Sequence, residues 1–454
     1  MFINYLKIAL RNLLRRKAFS FINILGLAFG IATCMVIDLY VTYEKSYDTF
    51  NENSDNIYRI KNVRYYTSGT DSSAGCVSLL GPTLKEELPE VVDFARLRKI
   101  SALVTANYNY FNEKNIFWAD SSFLTMFSYP LVSGDSKKAL TDNYSAVLTK
   151  TTAQKYFGND NPTGKTITIG GTDFKITGIA EDVPPNSHIK FDILLSFKTQ
   201  YVKEFCVSCN NNNTYIQVAA GVNKKTIESK IPSVITKLHD RQKDGFDRAY
   251  LLQPLTDIHL NSNLRFEHEE NGSAKTVYFL FIVAIVILLL AWINYINLST
   301  ARSIERAKEV GLRKVVGAGF QTLVRQFLLE SFIINFIAVC ISVLAVEITY
   351  PLWNETIGLP ASFSVLKNAD LLMLLTLLVF VSPIVAGIYP AFVLSSYQPV
   401  SILRGSFKYS LKGIFLRKSL VIFQFSISII MIAVIIIFNN QLSFMRNKNL
   451  GLDI

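Results

Sequence analysis

The sequence predicts a membrane protein: α-helical transmembrane spans, five in number, with a large α+β extracytoplasmic domain between spans 1 and 2. Three observations predict it. Hydrophobic residues make up 50% of the 454 positions and charged residues only 18%, with a mean hydropathy of +0.28. The apolar residues gather in long runs near the N-terminus and after about residue 275, as spanning helices require. Between the first two runs lie roughly 230 residues of mixed pattern, enough for one or two small domains. The net charge of +11 sits in short segments beside the apolar runs, as expected of cytoplasmic flanks. No motif that reads RNA or DNA accompanies it, so nucleic acid is not an expected partner.

A spanning helix needs ~20 mostly apolar residues, and five segments qualify. The apolar cores are Phe19–Tyr43, Val277–Leu298, Leu328–Ile348, Leu371–Leu394 and Leu420–Asn439. The first follows Arg15-Arg16-Lys17 but is too long for a signal-peptide core and lacks a small-x-small cleavage site, so it reads as a retained anchor. Asp38 in the first core and Glu347 in the third are acids inside apolar runs, which makes them functional candidates unless they reach the outer interface. Pro383 and Gly387 are candidate kink points in the fourth.

Basic residues set the orientation. Lys7, Arg11, Arg15, Arg16 and Lys17 precede the first span, and Arg302, Arg306, Lys308, Arg313 and Lys314 follow the second. Arg404, Lys408, Lys412, Arg417 and Lys418 precede the fifth, whereas the loop between the third and fourth has only Lys367. With five spans, all three basic segments fall on one side, which places the N-terminus in the cytoplasm. Residues 1–18 are then a cytoplasmic amphipathic helix, 19–43 the first span, 44–274 the extracytoplasmic domain, 275–299 the second span and 300–319 a cytoplasmic loop. Residues 320–349 are the third span, 350–370 a short outer loop, 371–394 the fourth span, 395–418 a basic cytoplasmic linker, 419–440 the fifth span and 441–454 the start of a possible second outer domain. In the N-terminal segment Ile3, Leu6, Leu10 and Leu13 recur at helical spacing while Lys7, Arg11 and Arg15 share another face, the pattern of a helix lying on anionic lipid.

Within 44–274, "PTLKEELPEVVDFARL" reads as a helix then a strand, "TITIGGTDFKITGIAEDV" as a hairpin and "NKKTIESKIPSVITKLHD" as a helix. The mixture suggests an α+β or split βαβ layout. "YFGNDNPTGKTITIGG" contains Gly164-Lys165-Thr166, close to a phosphate-binding loop. Five residues separate Gly158 from Gly164 where that loop needs four, and alternating Thr166–Ile169 follows where a helix should open. The stretch reads as a loop entering a hairpin, with Lys165 a surface residue. His188, His239, His259 and His268 form no His-Glu-x-x-His motif, and no Gly-x-Ser-x-Gly elbow occurs. The histidines therefore read as structural, and neither a metal site nor a catalytic constellation is expected. Cys206 and Cys209 read as a local disulfide or two free thiols, Cys76 as unpaired, and Cys34 and Cys340 as packing residues in spans.

Residues 294–319, "NYINLSTARSIERAKEVGLRKVVGAG", carry the most information. Arg302, Arg306, Glu309 and Arg313 share one helical face, Glu309 and Arg313 can pair at i, i+4, and Gly317-Ala318-Gly319 can end the helix. A solvated basic helix beside the membrane would show the same spacing. "ARSIERAKEVGLRKVVGA" also closely resembles the cytoplasmic loop of MacB/FtsX-like permeases, membrane subunits of ABC transporters. "LKIALRNLLRRKAFSFINILGLAFGIA", "YFGNDNPTGKTITI", "VPPNSHIKFDILLSF" and "SPIVAGIYPAFVLSSYQPVSILRG" resemble further stretches of that family, in its order.

The resemblance implies an outer domain with porter-like βαβ elements. It implies that the loop helix docks on a partner ATPase through Arg302, Glu305, Arg306, Lys308, Glu309, Gly311, Arg313, Lys314, Gly317 and Ala318, with ATP and Mg on that partner and no cofactor on this chain. It implies mechanotransmission, in which ATP-driven closure on the cytoplasmic side is relayed to the outer domain, serving efflux of peptides, drugs or lipoproteins. The alternative is a non-transport regulator activating a cell-wall hydrolase. Expected partners are an ABC ATPase, a second permease copy or half, a periplasmic adaptor, an outer-membrane channel or a hydrolase, and membrane lipid. "LRKSLVIFQFSISIIMIAVIIIF" resembles the opening of the chain itself, as though a second permease half began there, so the sequence is expected to be a fragment of a two-half permease or a shortened form of one.

Overall fold

The computed structural model describes residues 7, 11, 13–15, 17–202, 211–235, 247–301, 303–359, 368–396 and 411–447. They fall into two compact units, Met1–Val41 with Tyr278–Ile454, and Thr42–Val277. Most of the N-terminal amphipathic segment, His239, Cys206 and Cys209 lie outside the described residues.

The chain enters helix α1 (Lys17–Lys45) and then a mixed α/β domain. Its strands and helices are, in order, β1 (Ile57–Tyr66), β2 (Gly69–Ser73), β3 (Gly75–Cys76), α2 (Leu80–Glu87), β4 (Val91–Ala106), β5 (Asn109–Ala119), α3 (Phe123–Met126), β6 (Leu131–Ser133), β7 (Ser145–Thr149), α4 (Lys150–Phe157), β8 (Thr166–Ile169), β9 (Thr172–Ala180), β10 (Ile193–Ser196), β11 (Asn212–Val218), α5 (Lys224–Ile235), β12 (Asp247–Pro254) and α6 (Ile258–Asn261). Helices α7 (Ala274–Ala301), α8 (Ser303–Val315), α9 (Phe320–Ile357), α10 (Ala369–Ser396) and α11 (Leu411–Asn447) follow. Among the described residues five helices, α1, α7, α9, α10 and α11, are long and apolar enough to cross a membrane.

The strands among the described residues form one sheet in the order β12-β1-β11-β4-β5-β10-β7-β9-β6, with β2 on β1, β3 on β11, and β8 on β4 and β9 off this path. β11 and β12 each pair antiparallel with β1, which lies between them. They therefore run parallel to one another with α5 in the connection, the split βαβ arrangement that the sequence suggests. β7 and β9 pair in parallel across α4. Leu80 and Leu84 of α2 with Ile227 and Ile231 of α5 bury against Ile216 and Leu252. Ala153, Tyr156 and Phe157 of α4 bury against Ile116, Ile176 and Ile193. A third cluster, built on Phe117, Phe123, Phe127, Phe191 and Tyr215, closes the remaining core. Most of these residues alternate with exposed ones along their strands or recur at helical spacing.

The predicted hairpin is present: Thr166 pairs with Lys175 and Ile169 with Thr172. Gly170 and Gly171 turn it with φ of 54° and 78°, a backbone open to glycine at no cost. Lys165 lies just before β8 and pairs with Asp160 at 3.1 Å. A longer hairpin joins β4 to β5 and turns at Asn107 and Tyr108, with φ of 47° and 63°. Tyr108 there is 97% exposed.

Polar groups tie the sheet together where it is sealed. Arg59, 1% exposed, donates to Gln253 (2.8 Å) and Ser262 (2.7 Å) and pairs with Glu267. Its hydrogen bonds and its carboxylate partner offset the cost of burying the charge. His188 meets Tyr215 Oη at 2.9 Å and Asp48 at 2.8 Å, and His268 stands edge-on to Phe117. Cys76 is buried and free.

Burial, with the charges of His188, Arg59 and Lys99 nearby, pushes His268 from its ordinary 6.5 down to about 3. The unfolded chain therefore takes up a proton at this site below its ordinary value while the folded chain resists until far lower, so stability falls as pH falls through that window. From about pH 7 to about pH 5 the sheet domain should lose on the order of 1–2 kcal/mol at this site. Urea unfolding at the two pH values measures it, and His268→Gln should flatten the difference.

Candidate functional site: the helix between the second and third spans

Helix α8 begins two residues after α7 ends and is amphipathic at a period near 3.6. Val310 faces inward, 2% exposed, against Leu323, Phe327 and Ala391, with Ala318, Val324 and Leu328 packed around them. Leu312, Val315 and Val316, at i, i+3 and i+4, face outward at 64%, 63% and 87% exposure.

The helix is fixed at its C-terminal end. Arg313 pairs with Glu309 at 2.7 Å, the predicted i, i+4 contact, and donates to Gln326 Oε1 of α9 at 2.6 Å. Lys314 Nζ donates to the Ser395 carbonyl at 2.6 Å. Ser395 lies in the last turn of α10, where carbonyls lack partners within the helix and the dipole favours a cation. Gly317, at φ 99°, then ends α8 as the sequence suggests. The Gly317 amide donates to Lys314 O and the Ala318 amide to Arg313 O, the paired bonds of a left-handed glycine cap.

Of the residues implicated by resemblance, Glu305, Arg306, Lys308, Glu309, Gly311, Arg313 and Lys314 lie on α8, and Gly317 and Ala318 in its cap. Arg302 lies outside the described residues, and only the backbone of Glu305, Arg306 and Lys308 is described. Arg313 and Lys314 turn inward to neighbouring helices, Gly311 is buried, and the stripe Leu312, Val315 and Val316 is the outward surface. The charges that the sequence singles out are therefore not that surface, and the signal for the stripe is its i, i+3, i+4 apolar spacing.

The helices on which α8 rests are joined by small and polar residues, which is how helices associate in lipid. Tyr295 Oη meets Ser331 Oγ at 2.8 Å. Trp292 Nε1 donates to Ser382 Oγ at 2.7 Å, and Ser342 Oγ to Ala28 O at 2.8 Å. A Cβ on Gly387 would come within 2.7 Å of Ser331 Oγ, and one on Gly30 within 2.7 Å of the Ala291 Cβ. Glu330, 4% exposed, lines a cavity of about 20 Å³ with Tyr295, Ser299 and Ser331, room for one water. The sequence reading singles out Asp38 and Glu347, both only half-buried; the signal for Glu330 is its place as a third acid inside an apolar run, two residues after Leu328.

Residues 20–234 match the family model described as the MacB-like periplasmic core domain, and residues 281–399 that of the FtsX-like permease C-terminal region. The macrolide export ATP-binding/permease protein MacB of Chlorobium luteolum is 22% identical over 420 residues, covering 89% of this chain and 60% of that protein. The protein of the same name from Pasteurella multocida is 24% identical over 255 residues, covering 55% of this chain and 36% of its own length. The chain thus spans less than two thirds of the length of each of these relatives. Among solved structures, a permease-protein domain from Porphyromonas gingivalis is 21% identical with a TM-score of 0.41, covering 50% of this chain and 98% of that domain. The periplasmic region of MacB from Actinobacillus actinomycetemcomitans is 16% identical with a TM-score of 0.35, covering 45% and 90%.

Arg313→Ala should free α8 from α9 while leaving the spans assembled. Backbone amides over residues 309–318 should exchange with deuterium about tenfold faster, since a charge-assisted hydrogen bond contributes ~1.5–3 kcal/mol. Amides in the middle of α9 should keep their protection.

Proposed function

This chain belongs to the MacB/FtsX-like permease family of ABC transporters, and on that premise we propose that it is the membrane subunit through which ATP hydrolysis on a partner ATPase moves the sheet domain across the membrane. The single observation that carries this reading is the build of α8. A short helix between two spans presents an apolar stripe outward and is pinned inward to two other spans by Arg313 and Lys314. Such a helix can be pushed as a solid piece. An ATPase seated on Leu312, Val315 and Val316 would displace α9 and α10 rather than bend α8.

In this reading ATP and Mg are held by the ATPase, and this chain supplies positioning only. The N-terminus and α8 face the cytoplasm, in keeping with the basic residues that flank the spans. The relatives' name couples an ATP-binding function to a permease and to macrolide export, which supports an export role for small drugs or peptides. Mechanotransmission is the mode that the anchored helix favours. The test of the outer function is capture with residues 44–274: recovery of a periplasmic adaptor or outer-membrane channel supports export, and recovery of a cell-wall hydrolase supports the regulator reading instead.

The coupling reading is tested by Leu312→Asp and Val316→Asp, made singly. Each places a charge in the outward stripe without touching Arg313 or Lys314. Stimulation of the co-purified ATPase should fall on the order of tenfold, the effect of a central interface residue, with membrane insertion unchanged. Normal stimulation in both variants would remove α8 as the docking element.

A further inference from the structure

The sheet domain is joined to the spans by two connections, one leaving α1 and one entering α7. Each is separately pinned to the sheet. After α1, the Asn186 side-chain amide donates to Ser46 O at 3.0 Å, the Asp48 amide donates to Asn186 O at 2.9 Å, and Asp48, 1% exposed, pairs with His188. Before α7, Ser262 and Glu267 are held by buried Arg59, and Lys99 pairs with Glu269 at 2.8 Å.

The two connections also meet each other. Glu44, in the last turn of α1, is 8% exposed, and its Oε2 lies 3.0 Å from Nε2 of His259, itself 6% exposed. The Tyr47 ring stacks on that imidazole, with centroids 3.4 Å apart and planes 2° from parallel. Gly272, just before α7, closes the group. A Cβ there would come within 2.5 Å of Glu44 Oε2, 2.8 Å of His259 Nε2 and 3.2 Å of Leu260 Cδ2, so the backbone reaches the pair only because residue 272 is glycine.

Nothing in the local sequence of α1 asks for this carboxylate. An acid in the last turn of a helix opposes the dipole, and a sealed carboxylate without a partner is costly. Glu44 is favourable there because His259 and Tyr47 enclose it.

We infer that Glu44, Tyr47, His259 and Gly272 form a brace that locks the end of α1 to the segment feeding α7, so that the two connections to the sheet domain move as one body. Neither α1 nor α7 can then be pulled, twisted or loosened alone. The brace itself follows from the geometry; its part in relaying ATP-driven motion rests on the function proposed above. These are positioning residues, acting on the path between the spans and the sheet.

The experiment uses the full chain with its co-purified ATPase in lipid nanodiscs, followed by hydrogen–deuterium exchange. His259→Ala and Gly272→Ala should each raise exchange about tenfold in both connections together, residues 42–51 and 262–273, while β7 and β10 keep wild-type protection. The exchanged pair Glu44→His with His259→Glu should restore both. A rise confined to one connection, a rise spread equally through the sheet, or no rise overturns the brace. In the loosened variants ATP turnover should continue within about twofold of wild type while the ATP-dependent change in sheet-domain exchange disappears. If that change survives with both connections loosened, the brace has no part in the relay. If no ATPase co-purifies, the coupling proposed above fails, and the exchange pattern still decides the brace.

Discussion

The contacts on which the membrane unit most depends are the two made by consecutive cations, Arg313 to Gln326 and Lys314 to the Ser395 carbonyl. Apolar helices in lipid gain little from burying apolar surface against each other, so their relative positions rest on small residues and polar contacts. A short helix hanging between two spans would otherwise swivel about its glycine cap. With its end tied to the beginning of α9 and the end of α10, α8 has no freedom of its own. The same two residues that look like a docking patch in the sequence make contacts to neighbouring helices of this chain, and the proposal above therefore seats the ATPase on the apolar stripe beside them.

The sheet domain follows the same logic with buried charge instead of membrane contacts. Arg59, Asp48, Glu44 and Glu267 are largely removed from water, and each has a counter-group. Buried pairs add little net stability when made but cost several kcal/mol when one partner is removed. They therefore act less as glue than as keys to a single arrangement. That they cluster where the chain enters and leaves the domain is consistent with a domain whose attachment geometry matters to its use.

The large features were legible because they depend on local pattern. Long apolar runs mark the spans, and "TITIGGTDFK" marks the hairpin through its alternation and its glycine pair. "NKKTIESKIPSVI" gave α5 through apolar spacing, even with Pro232 inside the helix. Span ends were less legible. The third span is read as 320–349, and the helix α9 does start at Phe320, yet it runs on through Pro351 to Ile357, past the point where the apolar run gives out. Partners distant in sequence were not legible at all. Lys314 and Ser395 are 81 positions apart, and Glu44 and His259 are 215 apart. No spacing rule reaches across such distances, and the candidate site could be read as a helix with charges but not as a helix with its charges already engaged.

The long β4–β5 hairpin carries a practical consequence. Its last sheet contacts to β8 are at Val104 and Thr105, and beyond them the turn has a backbone that glycines would adopt at lower cost; Asn107 Nδ2 donates to the Tyr156 carbonyl at 3.2 Å, while Tyr108 is 97% exposed. A glycine-flanked fluorescent tag placed at Tyr108, with Asn107 kept, would relieve strain there rather than add it, and would leave both connections, the brace and α8 untouched. The tip is thus a natural observation post, from which any motion of the domain can be recorded without perturbing those parts.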